Sequence, residues 1–427
     1  MFFIGRKTSY QLYDDFCVII NHNDGSDYKL NKSAAEIFKK IESGHIDFSS
    51  EELEFIDELI SAGVVFDGEE TENNSDALLE SSGLESSVWS ELNEFASLNI
   101  IPVTATLELT YRCPVNCIHC YIDRSAVAVE NELSFKEYVR FIDEFRSMGG
   151  LYLILTGGDP FLHRDFEKIF NYARSKHIAV SVMSSGYGCD KPLLKRISNL
   201  GLMSFQATLH GHNSSIHDRF TKVDGSFEKT LDTLRTMKGL GVYVQAAVSI
   251  NTNNIKHFNQ IISFLESEKM NYVFNYEMLP KRTGDKSPAE LNISENELSE
   301  CYSKTGISQK HRLSGKLPDD PPCNAARSLF SIDPSGRVFP CIELRVCAGD
   351  IKNGSFLDIW KNSTVLNDIR HLKFKDLSVC SKCELKDMCN RCPGNSLREG
   401  LDITDHSARD CFHAGINSQV KRIKSLQ

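Results

Sequence analysis

Between residues 100 and 280 the sequence alternates between apolar strand patterns and amphipathic helix patterns, and that alternation leaves few folds open. Strands are expected at 103–109, 151–156, 178–184, 202–208, 242–249 and 272–278, with helices near 134–148, 164–176, 190–199, 226–239 and 255–268. Strand following helix following strand means parallel pairing through right-handed crossovers. Ser134-Phe-Lys-Glu137 supplies a capping box for the first of these helices. Six such strands fall short of a complete eight-stranded barrel.

Directly after the first strand comes Cys113-Pro-Val-Asn-Cys117-Ile-His-Cys120. Thiolate is the soft ligand that iron–sulfur clusters need, and C-x3-C-x2-C spacing can hold three irons of a cubane while the fourth stays uncapped. A four-thiolate zinc site wants a second C-x2-C pair nearby, and none lies within a hundred residues on either side. Val103, Ala105, Leu107 and Leu109 alternate with Thr104, Thr106, Glu108 and Thr110, so the cysteine loop starts at the C-terminal end of a strand.

This arrangement resembles the radical S-adenosylmethionine (SAM) enzymes, whose barrel carries such a loop after its first strand. The resemblance implies a partial (β/α)6 TIM barrel over 100–305, open on one side, with a [4Fe-4S] cluster on Cys113, Cys117 and Cys120 whose free iron is chelated by SAM. His119 stands where the family usually has an aromatic residue, and Tyr121 is typical of the family. Thr156-Gly157-Gly158-Asp159-Pro160 resembles the family's Gly-Gly-Glu-Pro motif, with Asp in the acidic place; glycine there permits close backbone approach. By the same resemblance, Ser184, Gln206 and Arg219 are expected near SAM, Arg219 through the bidentate fork of its guanidinium. His210 and His212 form an H-x-H pair in a Gly-containing loop, which is expected to be solvated.

Fourteen cysteines in a small secreted domain would suggest disulfides, but in 427 residues without a signal-peptide pattern, and in spaced groups, they point to metal ligation. No run of eighteen apolar residues occurs, so neither a membrane span nor membrane partners are expected, and the protein is read as cytoplasmic. A formal charge of −10 leaves no electrostatic footprint for nucleic acid.

The C-terminal region, 306–427, holds Cys380-Ser-Lys-Cys383, then Cys389, Cys392 and Cys411, after Cys323 and Gly336-Arg-Val-Phe-Pro-Cys341. This resembles the SPASM extension, which carries two auxiliary iron–sulfur clusters, of the [4Fe-4S] type. The family's spacing ends C-x3-C, whereas the gap here between Cys389 and Cys392 is two residues. The resemblance assigns Cys380, Cys383, Cys389 and Cys411 to an outer cluster and Cys323, Cys341 and Cys392 to an inner one. Two readings of Cys347 stay open: it is the fourth inner ligand, or the inner cluster keeps an open iron able to take a substrate thiolate. Cys17, Cys189 and Cys301 fit no spacing.

Residues 1–70 carry two short apolar stretches, Cys17-Val18-Ile19-Ile20 and Tyr28-Lys29-Leu30, then amphipathic helix patterns near 32–43 and 50–62 and a returning strand at 63–66. Asn31 or Ser33 is suited to cap the first helix, Ser49 or Ser50 the second. The order suggests a winged-helix-like domain, but six Lys/Arg against fifteen Asp/Glu would repel phosphate. The region resembles the peptide-recognition domain of ribosomal-peptide-modifying enzymes, which implies that a leader peptide docks by adding a strand. Residues 67–99 begin with a polar, acidic stretch and are read as a linker and bridging segment.

Together these resemblances imply an enzyme that cleaves SAM reductively and modifies a ribosomal precursor peptide, most naturally by an oxidative thioether or carbon–carbon crosslink. Its electron donor would be of the flavodoxin or ferredoxin type. No catalytic base is assigned; epimerisation would need a hydrogen donor such as Cys189 or Cys301. Two alternatives remain: a protein or small molecule as substrate, as in sulfatase maturation or tetrapyrrole chemistry, and a redox sensor with a DNA-binding head.

Overall fold

The computed structural model describes residues 1–68, 86–122, 128–305 and 317–426. The chain opens with strands β1 (Phe2–Ile4), β2 (Thr8–Leu12), β3 (Cys17–Asn21) and β4 (Asp27–Leu30), helices α1 (Lys32–Glu42) and α2 (Ser50–Ser61), and strand β5 (Val65–Asp67). Strands β2, β3 and β4 form an antiparallel sheet, and β1 pairs with β5. Asn31 caps α1 by accepting the Ala34 N–H at 3.0 Å, and Ser49 forms a capping box with Glu52 at the start of α2. One face of β3 packs Cys17 and Ile19 against Phe38, Ile41, Ile56 and Leu59. Its other face packs Val18 and Ile20 against Leu92 and Ala96 of helix α3 (Ser87–Asn99) and against Leu151, Tyr152, Ala179 and Met203. Burial on both faces explains why this strand reads as an unbroken apolar run.

Two differences from the sequence reading stand out. Strands β1 and β2 give no period signal, because Thr8-Ser-Tyr-Gln-Leu12 buries polar side chains as readily as apolar ones. The acidic part of the expected linker at 67–99 lies largely outside the described residues, and its last part is helix α3, capped by Ser86 through the Trp89 N–H at 3.0 Å.

The central region runs β6 (Thr104–Thr110), α4 (Phe135–Ser147), β7 (Tyr152–Gly157), α5 (Phe166–Ser175), β8 (Ala179–Ser184), α6 (Lys191–Asn199) and β9 (Leu202–Thr208). It continues through α7 (Ser214–Thr221), α8 (Ser226–Gly239), β10 (Tyr243–Ser249), α9 (Phe258–Ser267), β11 (Asn271–Asn275) and α10 (Glu295–Thr305). The C-terminal region adds β12 (Leu329–Ile332), β13 (Arg337–Phe339), β14 (Gly349–Asp350), α11 (Phe356–Asn362), α12 (Thr364–His371), α13 (Pro393–Arg398) and α14 (Ala408–Leu426).

Strands β6 to β11 are parallel neighbours in the expected order, and the sheet runs β11-β10-β9-β8-β7-β6-β12-β13-β14. Strand β12 pairs parallel with β6, Leu329 opposite Thr104 and Ile332 opposite Leu107, so the C-terminal region contributes a seventh parallel strand. Among the described residues β11 and β14 are unpaired edges, and the sheet stays open.

The faces of this sheet differ. Ala105, Leu107 and Leu109 of β6, Leu153 and Leu155 of β7, Val180 and Val182 of β8, and Phe205 and Ala207 of β9 sit in one core with the helices. The alternate positions Thr106, Thr156, Met183, Gln206 and Gln245 are only half-buried. Period-two alternation in a curved parallel sheet therefore lines its concave side with mostly polar groups, and that side is a chamber rather than packed core.

One arginine locks the N-terminal unit to the end where barrel strands begin. Arg174 of α5 is 5% exposed. It donates to the carbonyls of Arg6 (2.6 Å), Ile178 (2.5 Å) and Leu200 (2.9 Å) and to Ser9 Oγ (2.5 Å), with no carboxylate partner among the described residues. Burial pushes its guanidinium down to about 9. Replacing Arg174 with Met strands these acceptors, at about 2–4 kcal/mol; the expected result is a lower urea midpoint in equilibrium unfolding followed by circular dichroism.

Candidate active site at the mouth of the sheet

Strand β6 ends at Thr110 and the cysteine loop crosses above it. Asn116 N–H donates to Thr221 O (2.8 Å) and Ile118 N–H to Phe220 O (3.1 Å), which pins the loop to the end of α7. Cys113, Cys117 and Cys120 are partly buried and none is in a disulfide. A cavity of about 530 Å³ opens beside the loop, lined by Cys117, Cys120, Lys222 and Lys281 among others.

Behind the loop lies a histidine cluster that the sequence reading did not anticipate. His210 is fully buried rather than solvated, with its ring 4.9 Å from that of His119 and 3.8 Å from that of Phe220. One ligating atom each from Cys117, His119 and His210 all lie within 4.8 Å of one another. Burial pushes His119 and His217 down to about 4 and His210 well below the usual imidazole range, so all three rings are neutral near pH 7. His212, by contrast, is only half-buried. Two residues apart would share a face within a strand, but β9 ends at Thr208, and in the loop beyond it only His210 of the pair is turned into the core.

The glycine pair has a steric reason to be there. Gly157 has φ +133°, and a Cβ on it would meet Thr110 O at 2.2 Å. A Cβ on Gly158 would meet Arg112 O at 2.3 Å. Gly158 N–H donates to Thr110 O (2.7 Å) and Asp159 N–H to Arg112 O (2.8 Å), so the turn after β7 is stitched to the entrance of the cysteine loop. The Asp159 carboxylate is fully buried and accepts from Ser184 Oγ (2.9 Å), Ser185 N–H (3.1 Å) and Phe161 N–H (3.2 Å). Asp159 and Ser184 thus hold each other. Gln206 stands on the chamber face of β9, while Arg219 is exposed on α7. The Tyr121 ring packs against the guanidiniums of Arg282 (5.0 Å) and Arg398 (5.4 Å), and its carbonyl accepts the Arg282 backbone N–H at 3.0 Å.

Glu108 is the site residue whose role the sequence did not reveal. Its buried carboxylate accepts from Arg282 (2.8 and 3.2 Å), Arg345 Nη1 (3.0 Å) and Tyr111 Oη (3.1 Å). Burial works against the Arg282 charge, and the Glu108 carboxylate more than restores it, leaving the guanidinium above its ordinary range. The network joins β6, the segment after β11 and the loop between Cys341 and Cys347.

The C-terminal cysteines fall into two groups. Burial first, then the neighbouring Cys323 and Cys392 thiols, push Cys341 up to about 12, which places these three together. Cys411 is raised by burial and by the thiols of Cys380 and Cys383, while Cys389 Sγ lies 3.9 Å from Asp410 O. Cys347 is exposed, 3.5 Å from Gly349 O. Sulfur atoms already accept backbone N–H groups, Cys341 from Leu344 (3.2 Å) and Cys383 from Leu385 (3.4 Å), as thiolates around a cluster do. Soft donors in this number and grouping fit iron–sulfur clusters. Cys301 is instead packed in the core beside Leu298 and Tyr302, away from the chamber, and Cys17 is buried within β3. Cys189 lies close to Ser184 and Asp159, and burial raises its thiol.

Beyond β11, Glu277 pairs with Arg409 at 3.3 Å, yet burial pushes its carboxyl up from 4.5 to about 7. The folded state therefore holds this proton more tightly than the unfolded chain, and its contribution to stability is lost as pH rises from about 4.5 to about 7. The expected wild-type minus Glu277→Gln difference in unfolding free energy declines across that window by up to about 3 kcal/mol, measured by urea titration at several pH values.

Residues 107–265 match the radical SAM superfamily, and residues 323–384 match the SPASM iron–sulfur cluster-binding domain. This chain is a radical SAM enzyme with a SPASM domain. Among curated proteins it is 27% identical over 344 residues to mycofactocin maturase MftC of Mycobacterium tuberculosis, covering 76% of this chain and 86% of that protein. It is 25% identical over 339 residues to the AdoMet-dependent heme synthase of Methanosarcina barkeri, covering 72% of this chain and 96% of that one. Among solved structures, Streptococcus suis SuiB bound to its precursor peptide SuiA shares the fold with a TM-score of 0.63 at 13% identity, over 96% of this chain and 100% of that chain. No helix among the described residues is long and apolar enough to cross a membrane.

Proposed function

We propose that this enzyme modifies a ribosomally made precursor peptide, recognised through its leader by residues 1–68, and that the modification is an oxidative thioether or carbon–carbon crosslink. The observation that carries this reading is the cysteine loop, set over an open polar chamber, with two further cysteine groups in the C-terminal region. Cys113, Cys117 and Cys120 would hold the SAM-binding cluster, Cys323, Cys341 and Cys392 the inner auxiliary cluster, and Cys380, Cys383, Cys389 and Cys411 the outer one. Loaded with SAM and iron–sulfur clusters, the site would supply reductive SAM cleavage to a 5′-deoxyadenosyl radical and a sink for the surplus electron of an oxidative crosslink. The chain's own part is placement: Gly157 and Gly158 let the second loop press against the first, Glu108 clamps the C-terminal cysteine loop over the mouth, and the concave sheet face leaves room for a peptide. Lys222 and Lys281 beside the loop suit an acidic electron donor of the flavodoxin or ferredoxin type.

The leader reading is supported by β4, an edge strand whose main chain can accept an added strand. The N-terminal unit packs where the parallel strands begin, and the cysteine loop stands where they end. A tethered peptide must therefore span at least the seven residues of β6, about 23 Å of extended chain, before its reactive residue reaches the mouth. The heme synthase likeness favours a second reading, a tetrapyrrole substrate.

The test uses anaerobically reconstituted enzyme, reductant and SAM with a short peptide encoded beside the gene, following peptide mass and deoxyadenosine together. A peptide lighter by two hydrogens with matching deoxyadenosine supports the crosslink. Unchanged mass with deoxyadenosine formed overturns the crosslink in favour of epimerisation or another substrate.

A further inference from the structure

A second cavity lies away from the cysteine loop. It measures about 620 Å³ and lies at the opposite end of the sheet, between the residues leading into β6, the end of α4 and helices α11 and α12. Its walls include Arg327, Lys361, Arg370 and His371, and no Asp or Glu among the described residues lines it. In a chain of net charge −10 this is an unexpected place for uncompensated cations.

The two arginines are held in place by neutral groups. Arg370 is 8% exposed; its Nε donates to Ala326 O (2.7 Å), and its Nη1 donates to Trp360 O (2.6 Å) and Asn367 Oδ1 (2.9 Å). Its Nη2 is buried with no hydrogen-bond partner among the described residues. Arg327 donates to Ser97 O and Oγ (both 3.1 Å) and to Arg370 O (2.8 Å). Neither makes an ion pair among the described residues. Burial, and then the Arg327 charge, push the Arg370 guanidinium down to about 10, the direction expected of a cation short of counter-charge. A structural arginine normally has its charge answered by a carboxylate or its fork filled. Here rigid positioning by carbonyls, a vacant donor and an acid-free wall coincide.

We propose that this cavity is a binding site for a small-molecule oxyanion, a ligand carrying a phosphate or carboxylate group received by Arg370 and Arg327 with Lys361 at the rim. The volume falls in the range of small-molecule sites, and the apolar remainder of the wall, with Ile100, Met148 and Leu357, suits a ligand with a nonpolar body. An occupant would bridge the entrance of β6 and the C-terminal helices, so binding there stabilises the attachment of the SPASM region to the barrel.

The test is calorimetric titration of SAM-saturated holoenzyme in chloride buffer with inorganic phosphate and, separately, succinate. Saturable binding of either is expected at one site per chain, with phosphate or succinate the tighter according to the ligand's source. Lys361→Glu, an exposed substitution that leaves the fold intact, should weaken it about tenfold, and Arg327→Gln by at least as much. Lys222→Glu, beside the cysteine loop, should leave it unchanged, and the ligand-induced rise in melting temperature should vanish in Lys361→Glu. No saturable binding of either anion, or binding untouched by Lys361→Glu, overturns the proposal; loss on Lys222→Glu alone does so too, by placing the anion at the cluster site.

Discussion

Replacing Cys117 with alanine is expected to abolish deoxyadenosine formation while the protein remains folded and still coloured. Three thiolates leave a cubane one open iron; with two, the cluster loses one of its three attachments to the loop. Cys117 sits mid-loop and also carries the turn, accepting the Cys120 N–H at 3.2 Å through its carbonyl, a bond that alanine keeps. The loss is therefore of a ligand and not of the loop. The other cysteine groups are borne by separate C-terminal segments, so the variant should lose about four irons per chain, read by iron analysis and by disappearance of one electron paramagnetic resonance signal on reduction. Cys301→Ala is the matched control. That thiol is 1% exposed in the helix core, so its removal should lower stability by about 1 kcal/mol and leave iron and turnover unchanged. Loss of deoxyadenosine in Cys301→Ala, or its survival in Cys117→Ala, would contradict the assignment of the loop.

The parallel strands were legible in the sequence because their helix-facing side is continuously apolar. Strand β9, expected at 202–208, is Leu202–Thr208. Strand β11 ends early, at Asn275, because the chain peels off to bond the Met278 N–H to Asn292 Oδ1 (2.8 Å) and form the loop that carries Arg282. Helix α7 gave no signal: Ser-Ser-Ile-His-Asp-Arg-Phe-Thr has too few apolar residues to show a period. Strand β12 is four residues long, and no local pattern tells which sheet edge it will join. The cysteine loop was readable since its ligands are close in sequence. His210 was not, because its burial depends on Phe220 and His119 closing over it from other segments.

Glu108 belongs to this last class, and it carries the second large effect. Its place in the alternation with Leu107 and Leu109 predicts a chamber-facing side chain, but its partners Arg282 and Arg345 lie 174 and 237 residues away. Glu108→Gln keeps the shape and removes the charge. Two guanidiniums then face a neutral amide; besides the neutral Tyr111 Oη at 3.2 Å, Arg345 keeps as counter-charge Asp333 at 3.6 Å, which already binds Arg337 at 2.7 Å. Breaking a buried pair in this way costs about 3–5 kcal/mol, more than replacing the whole network with apolar groups of the same volume. The expected outcome is a large fall in the unfolding midpoint. A second, more local consequence follows from connectivity. Arg282 bonds the Tyr121 carbonyl directly after Cys120, and Arg345 lies on the loop between Cys341 and Cys347, so releasing both loosens the first and the inner cysteine groups together. Iron release to a chelator, followed in the intact folded protein well below the unfolding midpoint, should accelerate in Glu108→Gln and stay near wild type in Arg174→Met, which destabilises the opposite end. Equal acceleration in both variants would mean that iron leaves by global unfolding and that Glu108 does not clamp the mouth.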